Sequence, residues 1–147
     1  MTKKEALSIV FSCAPLYKEN LVDRSLLFIT TDKHKNVHCL EVTFDIGNFL
    51  HMTGFKLRKP GINARHFFNL CYDKRLTEAD FELSTDGTTE MKMRVLPSLM
   101  KKNLSAKMLG DYNMSQPKLY TDKIAGSLSA CMGFVRDGGE GRFVPNA

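Results

Sequence analysis

Long apolar runs are missing from this sequence. No uninterrupted hydrophobic stretch approaches the ~20 residues that a membrane-spanning helix needs. Residues 1–5 lead into an amphipathic pattern, and not into the apolar region of a secretory signal peptide. We therefore expect a cytoplasmic protein with reduced thiols and no membrane partner.

Patterns that bind metals or common cofactors are missing as well. The cysteines form no Cys-x-x-Cys pair and have no histidine at ligand spacing, which argues against a zinc site. The carboxylates at positions 80–90 are too loosely spaced to indicate a metal cluster. A Walker loop, a dinucleotide fingerprint and a Gly-x-Ser-x-Gly elbow are also absent, which closes the main routes to an ATPase, an oxidoreductase or a serine hydrolase. The prediction is a protein that uses neither a metal nor a cofactor.

A moderate excess of positive charge is present. The chain has 147 residues, with 21 Lys and Arg against 16 Asp and Glu, which gives a net charge of +5. This length fits one domain with a real core. The charge favours an anionic partner, and of nucleic acid and a membrane surface we prefer nucleic acid.

The first half of the chain alternates helical and strand patterns. Thr2 and Glu5 form a capping box that predicts a helix, and Pro15 predicts a kink or break in it. Residues 26–31 and 37–44 are predicted to form a β-hairpin. Residues 45–61 are predicted to be a loop or an irregular segment.

The second half is predicted to add helices and then strands. Asn63 is a helix cap for residues up to about 74, and residues 91–102 favour a second helix capped by Thr88 or Thr89, despite Pro97. Strand candidates follow at residues 106–111, 119–123, 128–136 and 142–144. The fold class predicted from this order is α+β, with helices packed on an antiparallel β-sheet in a single domain.

The segment around His51 carries the most chemistry. A histidine exchanges protons near neutral pH, and Thr53 beside it offers a hydroxyl. Lys56, Arg58 and Lys59 follow, and clustered cations attract phosphate. RNA cleavage without a metal needs these parts: a base for the 2′-OH, an acid for the leaving oxygen, and cations for the phosphorane. The alternative is a structural loop histidine followed by solvated lysines.

The last third of the chain contributes further candidates. Lys123 is a candidate phosphate ligand or phosphorane stabiliser, and the alternative is a solvated strand lysine. Thr121 and Ser129 are candidate hydroxyl donors, although hydroxyls in such strands usually face solvent or turns. Tyr112 has the chemistry to stack on a base, or to pack one face on the core.

Six short blocks occur in a characteristic order along the chain. They are Phe49-Leu50-His51-Met52-Thr53-Gly54, Asp86-Gly87-Thr88-Thr89, Val95-Leu96-Pro97, Gly110-Asp111-Tyr112-Asn113, Thr121-Asp122-Lys123-Ile124-Ala125-Gly126 and Cys131-Met132-Gly133-Phe134.

In combination these blocks resemble the phage and mobile-element branch of the barnase–EndoU–colicin–RelE-like nuclease superfamily. The resemblance implies a small α+β fold and a metal-independent endoribonuclease, similar to toxins that cut cellular RNA such as tRNA or mRNA. By the resemblance, His51 matches the histidine of the first block and Lys123 matches the lysine of the fifth. The resemblance also implies that the protein is located in the cytoplasm of a bacterial host. It leaves open the oligomeric state and the existence of a cognate inhibitor.

The C-terminal end departs from the family pattern. Similar members run on after the Pro145-Asn146 pair through a basic segment and a further strand, so we expect residues 1–147 to form one RNase-like domain that lacks this strand. The departure favours a second hypothesis. In it, the chain is a non-catalytic phage protein that binds and inhibits a host defence complex, such as an RNA-guided nuclease.

Overall fold

The first helix, α1, spans Lys3–Asn20 in the computed structural model, which describes residues 1–111, 123–126, 131–138 and 141–145. The predicted capping box is confirmed, because the Thr2 hydroxyl accepts a bond from the Glu5 backbone N–H and the Glu5 carboxylate accepts one from Thr2 N–H. The predicted break at Pro15 is wrong. Pro15 lies on the exposed side of α1, where water can satisfy the carbonyl that loses its partner, and buried residues before and after it hold the helix on the core.

The hairpin is confirmed, with β1 at Ser25–Thr31 and β2 at Val37–Thr43. The two strands pair antiparallel, from Ser25 opposite Thr43 to Thr31 opposite Val37. On one face of the second strand and its end, Leu40, Val42 and Phe44 are buried, while His38 on the same face is exposed. A run of large apolar residues in β1, a polar turn and a second run with apolar residues at alternate positions made this element readable from the sequence.

Residues 45–61, predicted to be irregular, contain regular structure. Asp45 caps a short 3-10 turn at Ile46–Asn48, which leads directly into helix α2 at Phe49–Thr53. Burial of Phe49 and Met52 stabilises this helix, and its length of five residues is too short for a periodic pattern to show. Strand β3 follows at Lys56–Leu57 and pairs antiparallel with β4 at Phe81–Glu82.

Two longer helices complete the helical layer. Helix α3, Ala64–Tyr72, begins at the predicted cap, since the Asn63 side chain accepts a bond of 2.8 Å from the His66 backbone N–H. Helix α4, Thr88–Leu99, begins after Gly87, so the predicted threonine caps are wrong and both threonines lie within the helix. Helices α1 and α2 both pack against α3 and α4.

Within the described residues, the large sheet has six strands in the order β1-β2-β8-β7-β6-β5. Strands β5 to β8 span Met108–Asp111, Lys123–Gly126, Cys131–Arg136 and Phe143–Pro145. Every neighbouring pair is antiparallel except β2 with β8, which pair in parallel through Val42 and Phe143. The predicted α+β class is confirmed: helices cover one mostly antiparallel sheet, and one core joins the two layers.

Among the described helices, none combines the length and the apolar character that crossing a membrane requires.

Candidate functional site

His51 lies on the exposed side of α2, and Phe49, Met52 and Thr53 of the same helix are buried on its inner side. The imidazole is open to solvent, and none of the hydrogen bonds found in the described residues uses it. Its backbone carbonyl, in contrast, is bound. An exposed, uncommitted imidazole on a fixed backbone is suited to exchange protons with a bound molecule.

Gly54 ends α2 and brings the chain close to α4. Its φ of 70° lies in the left-handed region, and a Cβ built at this position would stand 3.1 Å from Lys92 Cδ. The buried Thr89 hydroxyl donates to the Gly54 carbonyl at 3.0 Å and accepts from the Ser84 backbone N–H at 2.8 Å. These bonds fix the end of α2 against the first turn of α4, so His51 sits on a rigid support.

Lys92 is the residue that sequence reasoning missed. Its Nζ donates to the His51 carbonyl at 2.8 Å, and its side chain is half-buried. Burial lowers the pKa of Lys92 from its ordinary range. One local signal exists: Lys92 follows the buried Thr89 by three positions, which places it at the margin of the inward face of α4. We refer to His51, Gly54, Thr89 and Lys92 as the His51–Lys92 site.

Thr53 has a structural setting. The residue is fully buried, its hydroxyl donates to the Leu50 carbonyl at 2.8 Å, and the same oxygen accepts from the Phe55 N–H at 3.1 Å. These two bonds close the end of α2, and the predicted catalytic role of Thr53 stays a prediction.

The three predicted RNA-binding cations lie together, but they meet carboxylates. Arg58 forms an ion pair of 3.1 Å with Glu82, and Lys59 forms one of 2.5 Å with the buried Asp80. Lys56 lies opposite Glu82 in the β3–β4 ladder. We call residues 56–59 the cation loop, and its positive charge is partly balanced within the fold.

Phe55, which precedes the cation loop, belongs to the core. Its ring stacks on Phe81 with centroids 4.2 Å apart and planes inclined by 5°. Only 6% of Phe55 is exposed. The Phe55 ring therefore packs in the core and offers no free face to a nucleic-acid base.

Asp86 places a carboxylate close enough to the cation loop to interact with Lys56. Its carboxylate accepts hydrogen bonds from the Ser84 hydroxyl and, at 2.9 Å, from the Thr88 backbone N–H. The bond from Ser84, the bonds from Thr88 and the positive charge of Lys56 hold the pKa of Asp86 well below its usual range. Lys56 thus interacts with the negative charge of Asp86, just as Arg58 and Lys59 interact with carboxylates of their own.

The remaining predicted residues fall elsewhere. Lys123 begins β6, where its backbone position faces Asp111 of β5 and Phe134 of β7, so it belongs to the sheet and His51 to the helical layer. Thr121, Tyr112 and Ser129 lie outside the described residues. Their predicted roles, and that of Lys123, stay predictions.

The described ranges of the chain contain no group of three His, Cys, Asp or Glu side chains placed to hold a metal ion. The donors at the His51–Lys92 site are an imidazole and an ammonium group, which exchange protons and bind anions. An ammonium group has three N–H donors, and the bond to the His51 carbonyl uses one of them. The arrangement can therefore combine proton transfer with the binding of a negatively charged oxygen.

Comparison with protein families gives one match. Residues 9–146 match the family described as phage-Barnase-EndoU-ColicinE5/D-RelE like nuclease 4, PBECR4, which covers nearly the whole chain. No curated protein and no solved structure matches the chain.

Proposed function

Because the chain belongs to the phage-Barnase-EndoU-ColicinE5/D-RelE like nuclease 4 family, we propose that it cleaves RNA at the His51–Lys92 site without a metal ion. The family supplies the nuclease-type function, and the choice of RNA rests on chemistry. An imidazole can remove the proton of an internal 2′-hydroxyl, and an ammonium group can protonate the leaving oxygen. DNA lacks that hydroxyl.

The observation that carries the proposal is the pairing of His51 with Lys92. The two residues are 41 positions apart in the sequence, yet Lys92 Nζ stands 2.8 Å from the His51 carbonyl oxygen. The Lys92 ammonium group is thus held against the backbone of the residue that carries the exposed imidazole.

The proposed reaction is an internal transesterification. His51 removes the proton from the ribose 2′-OH, and the 2′-oxygen forms a bond to the adjacent phosphorus. The bond from phosphorus to the 5′-oxygen breaks, and the Lys92 ammonium donates a proton to that leaving oxygen. The products are a 2′,3′-cyclic phosphate and a 5′-hydroxyl. Burial, which lowers the pKa of Lys92, makes its ammonium group the better acid.

The cation loop is the proposed contact for the RNA backbone. Arg58 and Glu82 are both about half exposed, and such surface pairs contribute only about 0–1 kcal/mol, so phosphate can compete for these cations. Lys123, matched through the family blocks, is the proposed stabiliser of phosphorane charge. Thr121, Tyr112 and Ser129 keep their proposed roles as hydroxyl donors and RNA contacts, and the proposed part of Thr53 is to hold the end of α2 that carries His51.

The test is cleavage of total bacterial RNA and purified tRNA in EDTA. We expect fragments with cyclic-phosphate ends from the wild type and a loss of at least 100-fold in His51→Ala, the lower range for removal of a general acid or base. Lys92→Met should lose activity to a similar degree. His34→Ala is the matched control, because it deletes an equally exposed imidazole from the distant hairpin turn and should retain full activity.

The choice of RNA and the choice of residues are tested separately. A DNA strand of the same sequence should remain intact with every variant. Equal cleavage by His51→Ala and the wild type would contradict the role of His51. Intact RNA at high wild-type concentration would contradict catalysis altogether and shift the weight to the second hypothesis, a non-catalytic inhibitor of a host nucleic-acid–protein complex. Capture of partners from a host lysate would then follow.

A further inference from the structure

Strand β1 forms an outer edge of the six-stranded sheet. The strand order places β2 on one side of β1, and no strand in the described part of the chain pairs with its other side. The strand is seven residues long and pairs with β2 over its whole length. An edge of this kind offers a row of backbone donors and acceptors to another strand.

The direction of these backbone groups follows from the hairpin turn. The Asp32 N–H donates to the Asn36 carbonyl at 3.0 Å, so Asp32 directs its backbone groups toward β2. Because the direction alternates along an antiparallel strand, Leu26, Phe28 and Thr30 also bond to β2. The residues between them direct their N–H and C=O groups to the open edge: Ser25, Leu27, Ile29 and Thr31.

Natural proteins often protect such an edge with charged residues or proline, and the β1 sequence, SLLFITT, has neither. Leu27 and Ile29 are 59% and 62% exposed on the outer face of the sheet. Val37 and Cys39 of β2 continue this exposed apolar surface. An uncharged apolar edge beside an apolar face is typical of a strand that pairs with a partner.

We propose that β1 is the dimerisation strand of this protein, and that its partner is β1 of a second copy. The two strands run antiparallel around a twofold axis at Phe28. In this register Leu27 of one copy lies opposite Ile29 of the second copy, and Ser25 lies opposite Thr31. All of these residues direct their backbone groups to the edge, so every donor in the pair meets an acceptor. The two sheets join into one.

Charge complementarity identifies the second copy as the partner. Asp23 and Arg24 precede β1, and Asp32 and Lys33 follow it. The register centred on Phe28 sets Arg24 opposite Asp32 of the second copy and brings Asp23 alongside its Lys33. Arg24 at one end of the strand thus faces the opposite charge of Asp32 at the other end, and symmetry repeats the arrangement. The Asp32 carboxylate keeps its bonds to Asn36 and His38 of its own hairpin, so the attraction acts between charges and adds no hydrogen bond. A strand of another protein would need the same uncharged centre and the same charged ends.

The first experiment measures the mass of the full chain by sedimentation equilibrium. We expect the wild type to reach twice the monomer mass of 16.6 kDa. Ile29→Lys should be monomeric, because it places a charge at the centre of the paired edge. Met91→Lys is the matched control, since Met91 is 67% exposed on α4, away from the sheet edge, and this variant should dimerise like the wild type.

Two outcomes of that experiment would overturn the proposal. One is a monomeric wild type at the highest soluble concentration, and the other is a dimer that Ile29→Lys leaves intact. Circular dichroism verifies that both variants keep the wild-type fold.

Disulfide trapping then tests the register. In a Cys39→Ser background, a Leu27→Cys chain mixed with an Ile29→Cys chain should form an interchain disulfide, because these positions lie directly opposite each other. Leu27→Cys mixed with Thr31→Cys should react at least tenfold more slowly, because position 31 is two residues further along. Equal rates for the two mixtures would overturn the proposed register.

Discussion

Gly54 is the residue on which the geometry of the candidate site depends most directly. Its left-handed backbone ends α2 and turns the chain, and the absence of a side chain lets Lys92 pass within van der Waals distance. A larger residue would disturb both features at once, because it would strain the backbone and push on the Lys92 side chain.

We expect Gly54→Ala to lower the free energy of unfolding by about 1–2 kcal/mol, the typical strain of a left-handed residue that carries a Cβ. It should also reduce RNA cleavage, since Lys92 must shift away from the His51 carbonyl. Urea unfolding and the cleavage assay in EDTA measure the two effects. Gly61→Ala is the matched control, because a Cβ there meets nothing within 4 Å, and it should leave both quantities close to those of the wild type. An unchanged stability of Gly54→Ala would refute the steric argument.

At the scale of elements, the small β3–β4 sheet is fixed by one carboxylate. Asp80 is 5% exposed and accepts two bonds of 2.8 Å from the Thr77 backbone N–H and hydroxyl. It also pairs with Lys59, while its backbone carbonyl accepts from the Arg58 N–H at 2.9 Å. Asp80 thereby joins the turn before β4 to Arg58 and Lys59, the two residues of the cation loop that follow β3.

Acid should weaken this junction. The Lys59 ammonium, together with the bonds from Thr77, lowers the pKa of Asp80 from 3.8 to about 2. A carboxylate whose pKa is lower in the folded state stabilises the fold above its unfolded pKa, and this stabilisation is lost as the pH falls. The contribution of Asp80 is therefore complete above about pH 4 and disappears as the pH approaches 2.

We expect Asp80→Asn to be less stable than the wild type by about 1–3 kcal/mol at pH 6, the range for hydrogen bonds to a charged group. The difference should shrink steadily as the pH falls from 4 to 2, as measured by urea unfolding at each pH. Glu78→Gln, an exposed change in the same turn, should stay close to the wild type throughout. A difference that stayed constant down to pH 2 would contradict the role assigned to Asp80.

At the scale of the whole molecule, Tyr17 connects the helical layer to the sheet. Its ring lies 5.2 Å from Phe49 of α2 and 6.2 Å from Phe44 at the end of β2, and Phe44 meets Phe134 of β7 at 6.4 Å. The Tyr17 hydroxyl donates to the Asp45 carbonyl at 2.7 Å, where the chain leaves the sheet for α2. Burial raises the pKa of Tyr17, so the hydroxyl keeps its proton.

We expect Tyr17→Phe to reduce the free energy of unfolding by about 1–2 kcal/mol, because the Asp45 carbonyl loses its donor while the ring packing remains. Thermal unfolding followed by circular dichroism measures the change. Tyr72→Phe is the matched control, since Tyr72 is 40% exposed and loses only a solvated hydroxyl. A Tyr17→Phe protein as stable as the control would show that the hydroxyl does not link the layers.

The sequence by itself determined the features that depend on near neighbours. The capping box of α1, the Asn63 cap of α3 and the two apolar runs of the hairpin all involve residues within a few positions of each other. The α+β class follows from the order of these local patterns. The six sequence blocks likewise identified the nuclease superfamily that the family match supports. Local patterns suffice here because periodicity and capping are properties of a single element.

Only the tertiary structure decided what meets across the chain. Burial of Phe49 and Met52 turned an apparent loop into α2, and the parallel pairing of β8 with β2 joined the last strand to the hairpin. Folding also brought Lys92 to His51, and Asp80 and Glu82 to the cation loop. The residues in each of these pairs are at least 21 positions apart in the sequence. Which residues meet depends on which surfaces pack together. Spacing in the sequence carries no record of that packing, and so the chemistry of the site emerges only from the fold.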